Sequence, residues 1–262
     1  MEKILFDTHC HISDSEYDEN REALIEEIRA SRLKYAVDIG TRVETSLNVC
    51  ETVKRLDFCY GTVGMFPGNC YGRPDSELDV FERLYRENPK IVAIGEIGLD
   101  YHYGDTDKVQ QQKWFAAQIE LAKSLGAPIC IHTRDADDDT LRMLKDQKAF
   151  SAIKVLMHCY SGSAELARQY VKLGAVISIC GPVTFKNARK TVEVVEQTGL
   201  EHLVVETDAP YLTPVPFRGK QNKPYYVEYT ARKVAEIKGI SFEEAAEATL
   251  KNACAFYGIE DR

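Results

Sequence analysis

The sequence predicts an α/β fold, specifically a single (β/α)8 TIM barrel that occupies residues 1–262. Three observations lead to this prediction: short apolar segments recur along the chain, a helical segment follows each of them, and no linker interrupts the series. Strands that are apolar throughout are typical of a parallel sheet covered on both faces. Eight such units in roughly 250 residues match one closed barrel.

The predicted elements alternate from the start of the chain to its end. The strands are expected at 4–11, 35–40, 58–64, 91–100, 128–134, 153–159, 175–180 and 203–208. The helices are expected at 23–33, 44–55, 76–88, 107–125, 136–147, 163–173 and 187–198, with two more in the last fifty residues. An open doubly wound sheet is the alternative, but it would carry a Gly-rich phosphate-binding turn after an early strand, and the sequence shows none there.

Composition limits the classes of function. The chain is 44% hydrophobic and its net charge is −8, which argues against a broad polyanion-binding surface, so any nucleic acid must be gripped locally. The eight cysteines form no Cys-x-x-Cys pair and several lie in apolar runs, which predicts reduced thiols and a cytoplasmic location. We expect no signal peptide and no membrane span, because no apolar run approaches spanning length.

Six potential metal ligands stand at the predicted carboxyl ends of strands, where the active sites of such barrels lie. They are His9, His11, Glu96, His132, His158 and Asp208. Taken singly, such a histidine is usually a hydrogen-bonded side chain, and such a carboxylate usually caps the next helix. Taken together, they place four of the six histidines in one layer, and only His102 and His202 lie off the pattern.

The donor set indicates which metals would bind. Four imidazoles and two carboxylates suit Zn²⁺ or Mn²⁺ and are compatible with Mg²⁺. Six ligands exceed what one closed zinc site uses, but they suffice for two ions that share a carboxylate and keep open positions. The sequence therefore predicts two divalent metal ions at the carboxyl-terminal mouth of the barrel.

Six segments, in order along the chain, make this sequence resemble the TatD-type metal-dependent deoxyribonucleases of the amidohydrolase-like superfamily. They are Asp7-Thr8-His9-Cys10-His11, Gly95-Glu96-Ile97-Gly98-Leu99-Asp100-Tyr101, His132-Thr133-Arg134-Asp135-Ala136, His158-Cys159-Tyr160-Ser161-Gly162-Ser163, Glu206-Thr207-Asp208-Ala209-Pro210-Tyr211-Leu212 and Arg218-Gly219-Lys220-x-Asn222-x-Pro224. One departure stands out: Phe66 precedes Pro67, where the family usually has a histidine. Phe66 would either stack on a base or pack under its loop.

The resemblance implies both the ligands and the reaction. One ion would be held by His9, His11, Glu96 and Asp208, and the second by Glu96, His132 and His158, with Glu96 bridging. Metal-activated water would hydrolyse DNA phosphodiester bonds, in the manner of a 3′–5′ exonuclease acting on single strands or 3′ ends. Asp208 and Glu96 are the expected catalytic residues, and Asp208 would accept the proton of the water. No obligatory protein partner is expected.

Further side chains are candidates for substrate contact or support. Arg134, Arg218 and Lys220 lie just after strand ends or in the long loop after the eighth strand, and they are expected to contact backbone phosphates. Asn222 and Tyr211 are weaker candidates. Glu206 would either orient a ligating histidine or form a structural ion pair.

Two other functions stay open at this point. The same barrel and ligands can hydrolyse amides or esters, for example as an aminoacyl-tRNA deacylase, because metal-activated water does not by itself choose phosphorus over carbon. A metal-binding nucleic-acid module without catalysis is the third hypothesis. Phe66 motivates it, and the presence of Asp208 argues against it.

Overall fold

Eight parallel strands form one sheet in the order of the chain and alternate with helices in the computed structural model, which describes residues 2–103 and 107–261. The predicted (β/α)8 barrel fold is confirmed. The strands are β1 Leu5–Cys10, β2 Leu33–Ile39, β3 Cys59–Val63, β4 Ile91–Asp100, β5 Ile129–Arg134, β6 Val155–Met157, β7 Val176–Ile179 and β8 Leu203–Val205.

The helices follow the predicted segments closely except the first, which was expected at 23–33 but ends at Ala30, so that Leu33 begins β2. They are α1 Arg21–Ala30, α2 Val43–Arg55, α3 Glu77–Glu87, α4 Lys108–Leu125, α5 Asp137–Asp146, the one-turn α6 Ala149–Ala152, α7 Ala164–Lys172, α8 Arg189–Gln197, α9 Val227–Lys238 and α10 Phe242–Tyr257. No helix within the described ranges has both the length and the apolar character that crossing a membrane requires. All eight cysteines are free thiols.

β6 and β8 end earlier than the apolar pattern predicts, and the cause is the same in both. The backbone N–H of Cys159, just after β6, donates to Glu206 Oε1 at 2.8 Å, and that of Thr207, after β8, donates to Asp7 Oδ1 at 2.9 Å. After each of these strands the backbone enters the left-handed region, with φ of 42° at Cys159 and 54° at Asp208. Buried carboxylates therefore replace the next ladder bonds and end the strands.

The chain divides into two compact units. The first unit contains residues 1–38, 159–172 and 176–262, and the second unit contains residues 39–158 and 173–175. A single domain over residues 1–262 stays a prediction.

In the first unit, the two ends of the strand series contact each other. β1 lies against β8, and just beyond β8 the N–H of Asp208 donates to the His9 carbonyl at 2.9 Å. α10 covers β1, where the Tyr257 hydroxyl donates to the Thr8 carbonyl at 2.9 Å and the Tyr257 ring stacks on Phe6. These contacts place the end of β1 beside the loop that carries Asp208.

In the second unit, β4 and β5 pair closely over the half of β4 that bears the site. Gly98 is opposite His132 in the register, and its φ is 143°. A Cβ on Gly98 would lie 1.9 Å from the His132 carbonyl oxygen, so only glycine permits this approach. Two buried glutamines of α4 hold the neighbouring backbone: Gln118 bonds the N–H and C=O of Met65, and Gln111 bonds those of Asp100.

Candidate metal centre

The first unit brings together two histidines of the opening strand and one carboxylate. His9 Nε2 lies 3.6 Å and His11 Nε2 lies 3.4 Å from Asp208 Oδ1. The ligand atoms of the three residues all lie within 4.8 Å of one another. Three donor atoms gathered in this way can surround a single cation. We name His9, His11 and Asp208 the first cluster.

Asp7 positions the loop that carries Asp208. Its Oδ2 accepts from the Thr207 hydroxyl at 2.5 Å, and its Oδ1 accepts from the N–H of His9 at 3.3 Å as well as from that of Thr207. Burial raises the pKa of Asp7, and the bonds from Thr207 work against that shift. No role for Asp7 was predicted, although an aspartate directly after the apolar run 4–6 of the opening strand was the available signal.

The second unit brings together one carboxylate and two further histidines. Glu96 Oε1 lies 2.8 Å from His132 Nδ1 and 3.5 Å from His158 Nε2. All three ligand atoms lie within 4.8 Å of one another, and Glu96 and His158 are buried. We name Glu96, His132 and His158 the second cluster.

The structure corrects the expected position of Glu96. Glu96 lies in the middle of β4, because the strand continues to pair with β5 through Leu99 and Asp100. The carboxylate at the end of β4 is Asp100, whose Oδ2 lies 3.1 Å from His132 Nε2. His132 likewise lies inside β5, while His11 and His158 follow their strands directly and Asp208 follows β8 by three residues.

Asp100 and Glu96 together set the charge state of His132. Burial favours the neutral imidazole, but the hydrogen bond with Asp100 and then the Glu96 carboxylate outweigh burial and raise the pKa of His132. For Asp100, burial works to raise the pKa, but the bonds from His132 and from the His102 N–H lower it. A carboxylate on the far nitrogen of a ligating histidine fixes its tautomer and ring orientation.

Glu206 anchors backbone and side chains in the first unit. Its Oε1 accepts from the Cys159 N–H at 2.8 Å, and its Oε2 accepts from the Ser178 hydroxyl at 2.5 Å. These bonds hold the turn that directly follows His158 in the chain. The predicted role of Glu206 in orienting a histidine stays a prediction.

The candidate substrate residues differ in their surroundings. Arg134, Arg218 and Lys220 are exposed, and each cation lies over an aromatic ring: Arg134 over Tyr103, Arg218 over Phe185 and Lys220 over Phe217. Asn222 is fully buried, and its amide donates to the carbonyls of Thr207 and Tyr211, so it supports the loop after β8. The Tyr211 hydroxyl donates to Asp14 at 3.3 Å.

The two histidines outside the pattern lie away from the clusters. His102 Nδ1 lies 2.8 Å from Asp135 on the exposed surface, and His202 Nε2 lies 3.7 Å from Glu201. Neither belongs to a group of three candidate ligands among the described residues.

Both clusters have the donor chemistry of a divalent metal site. Each combines two imidazoles with one carboxylate, a set typical of Zn²⁺ and Mn²⁺ sites. Nitrogen–oxygen separations of 3.4–3.6 Å in the first cluster are too long for good hydrogen bonds, so these side chains surround a shared space more than they bond to one another. The residues therefore fit a bound metal.

A (β/α)8 barrel with two histidine–carboxylate clusters near the carboxyl ends of its strands defines the class of metal-dependent hydrolases. The model of the TatD related DNase family matches residues 6–258. The chain belongs to this family of metal-dependent hydrolases.

Individual relatives agree with this assignment. The uncharacterized metal-dependent hydrolase YabD of Bacillus subtilis is 42% identical over 256 residues, which cover 98% of this chain and 100% of the relative. The uncharacterized metal-dependent hydrolase YcfH of Escherichia coli K12 is 34% identical, over 98% of this chain and 97% of its own. The crystal structure of YJJV, a TatD homologue from Escherichia coli K12, superposes with a TM-score of 0.93 at 28% identity and covers 99% and 100% of the two chains.

Proposed function

We propose that the protein is a deoxyribonuclease that hydrolyses DNA phosphodiester bonds and that each cluster holds one divalent cation, Mg²⁺, Mn²⁺ or Zn²⁺. The donor set of the two clusters carries this proposal, because each offers two imidazoles and a carboxylate. The description of the family as TatD related DNases supports DNA as the substrate. The bridging role of Glu96 stays a prediction.

The side chains of the two clusters have different roles in the proposed hydrolysis. Bound cations would supply Lewis-acid stabilisation of the charge that develops on the scissile phosphate. Asp208 accepts the proton of the attacking water. Its side chain is 17% exposed whereas that of His9 is completely covered, so water has access to this carboxylate. Glu96 keeps His132 and His158 oriented through its Oε1.

Exposed cations hold the DNA backbone. The side chains of Arg134, Arg218 and Lys220 are exposed, so their charge is available to phosphates. Because the net charge of the chain is −8, the rest of the protein contributes little electrostatic attraction for DNA. The DNA is therefore bound through these few cations. We infer that the substrate is single-stranded DNA or a 3′ end, degraded in the 3′–5′ direction. A cytoplasmic location and the lack of an obligatory protein partner stay predictions.

The test combines metal analysis with a choice of substrates. Protein purified without chelators is analysed for bound metal and then offered end-labelled single-stranded oligonucleotides, aminoacyl esters of RNA and cyclic amides. We expect stepwise shortening of the oligonucleotide from its 3′ end. Cleavage of the aminoacyl ester or the amide with intact DNA would instead identify an amide or ester hydrolase such as an aminoacyl-tRNA deacylase.

A variant tests the role of the proposed base. Asp208→Asn is expected to reduce the rate about 100- to 10,000-fold, the range that general base catalysis contributes. Asp138→Asn, an exposed aspartate on α5, is the matched control and should keep full activity. Unchanged cleavage by Asp208→Asn would overturn its assignment as the base.

A further inference from the structure

A cavity of about 520 Å³ opens in the second unit beside the second cluster. Its lining includes Phe66, Tyr71, Asp100, Tyr103, Asp107 and Gln111. This volume lies within the range of pockets that take small organic ligands. Asp100 connects the cavity to the cluster, because the same carboxylate bonds His132.

The walls of the cavity are held in place by α4. Gln111 makes two hydrogen bonds to the backbone of Asp100, at 2.8 and 2.9 Å. Gln118, two turns further along α4, makes two to the backbone of Met65, which directly precedes Phe66. Both glutamines are buried, so the backbone at Asp100 and next to Phe66 is already fixed before a ligand binds.

Aromatic rings dominate the remaining walls. The Phe66 ring stands edge-to-face against the His132 ring, with centroids 4.8 Å apart at 71°. It lies so close to Gly68 that a Cβ there would approach a ring carbon to 2.8 Å. Tyr71 and Tyr103 leave 80% and 63% of their surfaces in water, although tyrosine is usually at least partly buried. Rings that are held out into solvent around one cavity are typical of a stacking site.

The charge of the lining decides which part of a nucleotide fits. The carboxylates of Asp100 and Asp107 repel a phosphate, so the cavity does not suit the DNA backbone. They suit a neutral planar ring that carries hydrogen-bond donors. Arg134 offers a positive charge next to Tyr103, with its guanidinium 5.8 Å from the ring centroid. A nucleotide with its base in the cavity and its phosphate toward Arg134 keeps the phosphate away from the two carboxylates and pairs it with the guanidinium.

We propose that this cavity binds one nucleobase of the substrate, stacked on Phe66, Tyr71 and Tyr103, and thereby selects nucleotide substrates over simple esters and amides. The proposal rests on the proposed function, because it takes DNA as the substrate. Asp107 lines the cavity and uses one carboxylate oxygen to accept the Gln110 N–H at 2.9 Å, so its second oxygen would accept a hydrogen bond from the base. Bases with an exocyclic amino group, namely adenine, cytosine and guanine, are therefore preferred over thymine.

Binding, not turnover, gives the direct test. The probe is 2-aminopurine deoxyribonucleoside 5′-monophosphate, whose fluorescence is quenched on stacking, added to the metal-loaded protein. Competition with dAMP should be about 10-fold stronger than with deoxyribose 5-phosphate, which lacks a base. dTMP should compete more weakly than dAMP.

Two variants test whether the aromatic rings of the cavity bind the base. Phe66→Leu and Tyr103→Leu are each expected to weaken nucleotide binding about 10-fold and to leave deoxyribose 5-phosphate binding unchanged. Phe58→Leu is the matched control, because this half-buried phenylalanine stands at the opposite end of β3 from Phe66. Since Tyr103 is largely exposed, its replacement does not disturb the core even if Phe66→Leu loses stability.

The outcomes separate this inference from the proposed function. Equal competition by dAMP and deoxyribose 5-phosphate, or wild-type nucleotide affinity in both variants, would overturn the cavity assignment even if the enzyme cleaves DNA. A protein that binds the nucleotide through Phe66 and Tyr103 but cleaves no phosphodiester would support the cavity and refute the deoxyribonuclease assignment.

Discussion

The carboxylate of Asp100 lies 3.1 Å from Nε2 of His132, while Nδ1 of the same ring lies 2.8 Å from Glu96. His132 is thus held at both nitrogens, between a candidate ligand and a supporting carboxylate. A second aspartate–histidine contact, Asp135 with His102 at 2.8 Å, is exposed and outside both clusters. Each pair joins an aspartate to an imidazole, but only Asp100 contacts a candidate ligand, so Asp135 is a suitable control for Asp100.

Replacing Asp100 with asparagine should weaken metal binding at the second cluster. Loss of such a supporting carboxylate typically costs 10- to 100-fold in metal affinity, because the imidazole is no longer fixed in orientation and becomes less basic. Titration of the metal-free protein with Zn²⁺ or Mn²⁺ in a calorimeter measures the change. Asp135→Asn should bind metal as the wild type does. Equal affinity for Asp100→Asn and Asp135→Asn would show that Asp100 does not position His132.

Gly98 should tolerate no side chain. In Gly98→Ala, the Cβ would lie 1.9 Å from the His132 carbonyl oxygen, at a φ of 143°. We expect the free energy of unfolding to fall by at least about 3 kcal/mol, since overpacking adds to backbone strain. Gly126→Ala is the control: φ is 63° and a Cβ there meets nothing within 4 Å. It should cost only the roughly 1–2 kcal/mol of a left-handed residue. Denaturant unfolding of both variants measures this difference, and similar losses would contradict it.

Arg218 and Lys220 should contribute to DNA affinity through phosphates. For each replacement by alanine, we expect weaker binding of a single-stranded oligonucleotide of any sequence. The slope of log K against log salt concentration should become shallower by roughly 0.7 for each phosphate that is no longer neutralised, because fewer counterions are released. Fluorescence anisotropy at several salt concentrations measures the slope. Lys251→Ala, an exposed lysine on α10, should leave it unchanged. An unaltered slope in Arg218→Ala and Lys220→Ala would exclude both from phosphate contact.

Asp38 should make the metal-free protein less stable as the pH rises. Burial raises the pKa of Asp38 from 3.8 to about 6, although its Oδ1 accepts the Ser13 N–H at 3.2 Å. Between about pH 4 and pH 6 the unfolded chain has released this proton while the folded chain retains it, so stability falls across that window. Above pH 6 the loss stays constant, at up to about 3 kcal/mol.

The variant Asp38→Asn removes this titration. Measured by denaturation in chelator, its stability relative to the wild type should increase from pH 4 to pH 6 and then level off. Asp79→Asn, an exposed residue of α3, should show no such rise. A difference between Asp38→Asn and the wild type that does not change with pH would show that Asp38 is not buried as a protonated carboxyl.

The local pattern predicted the strands and helices well, because apolar runs and helical spacing are properties of neighbouring residues. The prediction was weaker where distant side chains intervene. β6 and β8 are shorter than their apolar runs because Glu206 and Asp7 take the backbone N–H groups that would extend them. Glu96 was expected at a strand end, but it lies in the middle of β4, which runs to Asp100 as the predicted strand 91–100 does. The early ends of β6 and β8 are not encoded in the segments that they shorten.

The sequence by itself determined the barrel fold, the family and the six candidate ligands, since strand periodicity and ordered motifs are written along the chain. Only the tertiary structure decided which ligand atoms approach one another within each cluster, such as Glu96 Oε1 and His132 Nδ1 at 2.8 Å. It also showed that Asp100 supports His132 and that Asp7 holds the loop of Asp208. Tertiary folding likewise exposed Tyr71 and Tyr103 around one cavity. These relations join residues far apart in the chain, and their distances depend on how strands pair and helices pack, which no local pattern specifies.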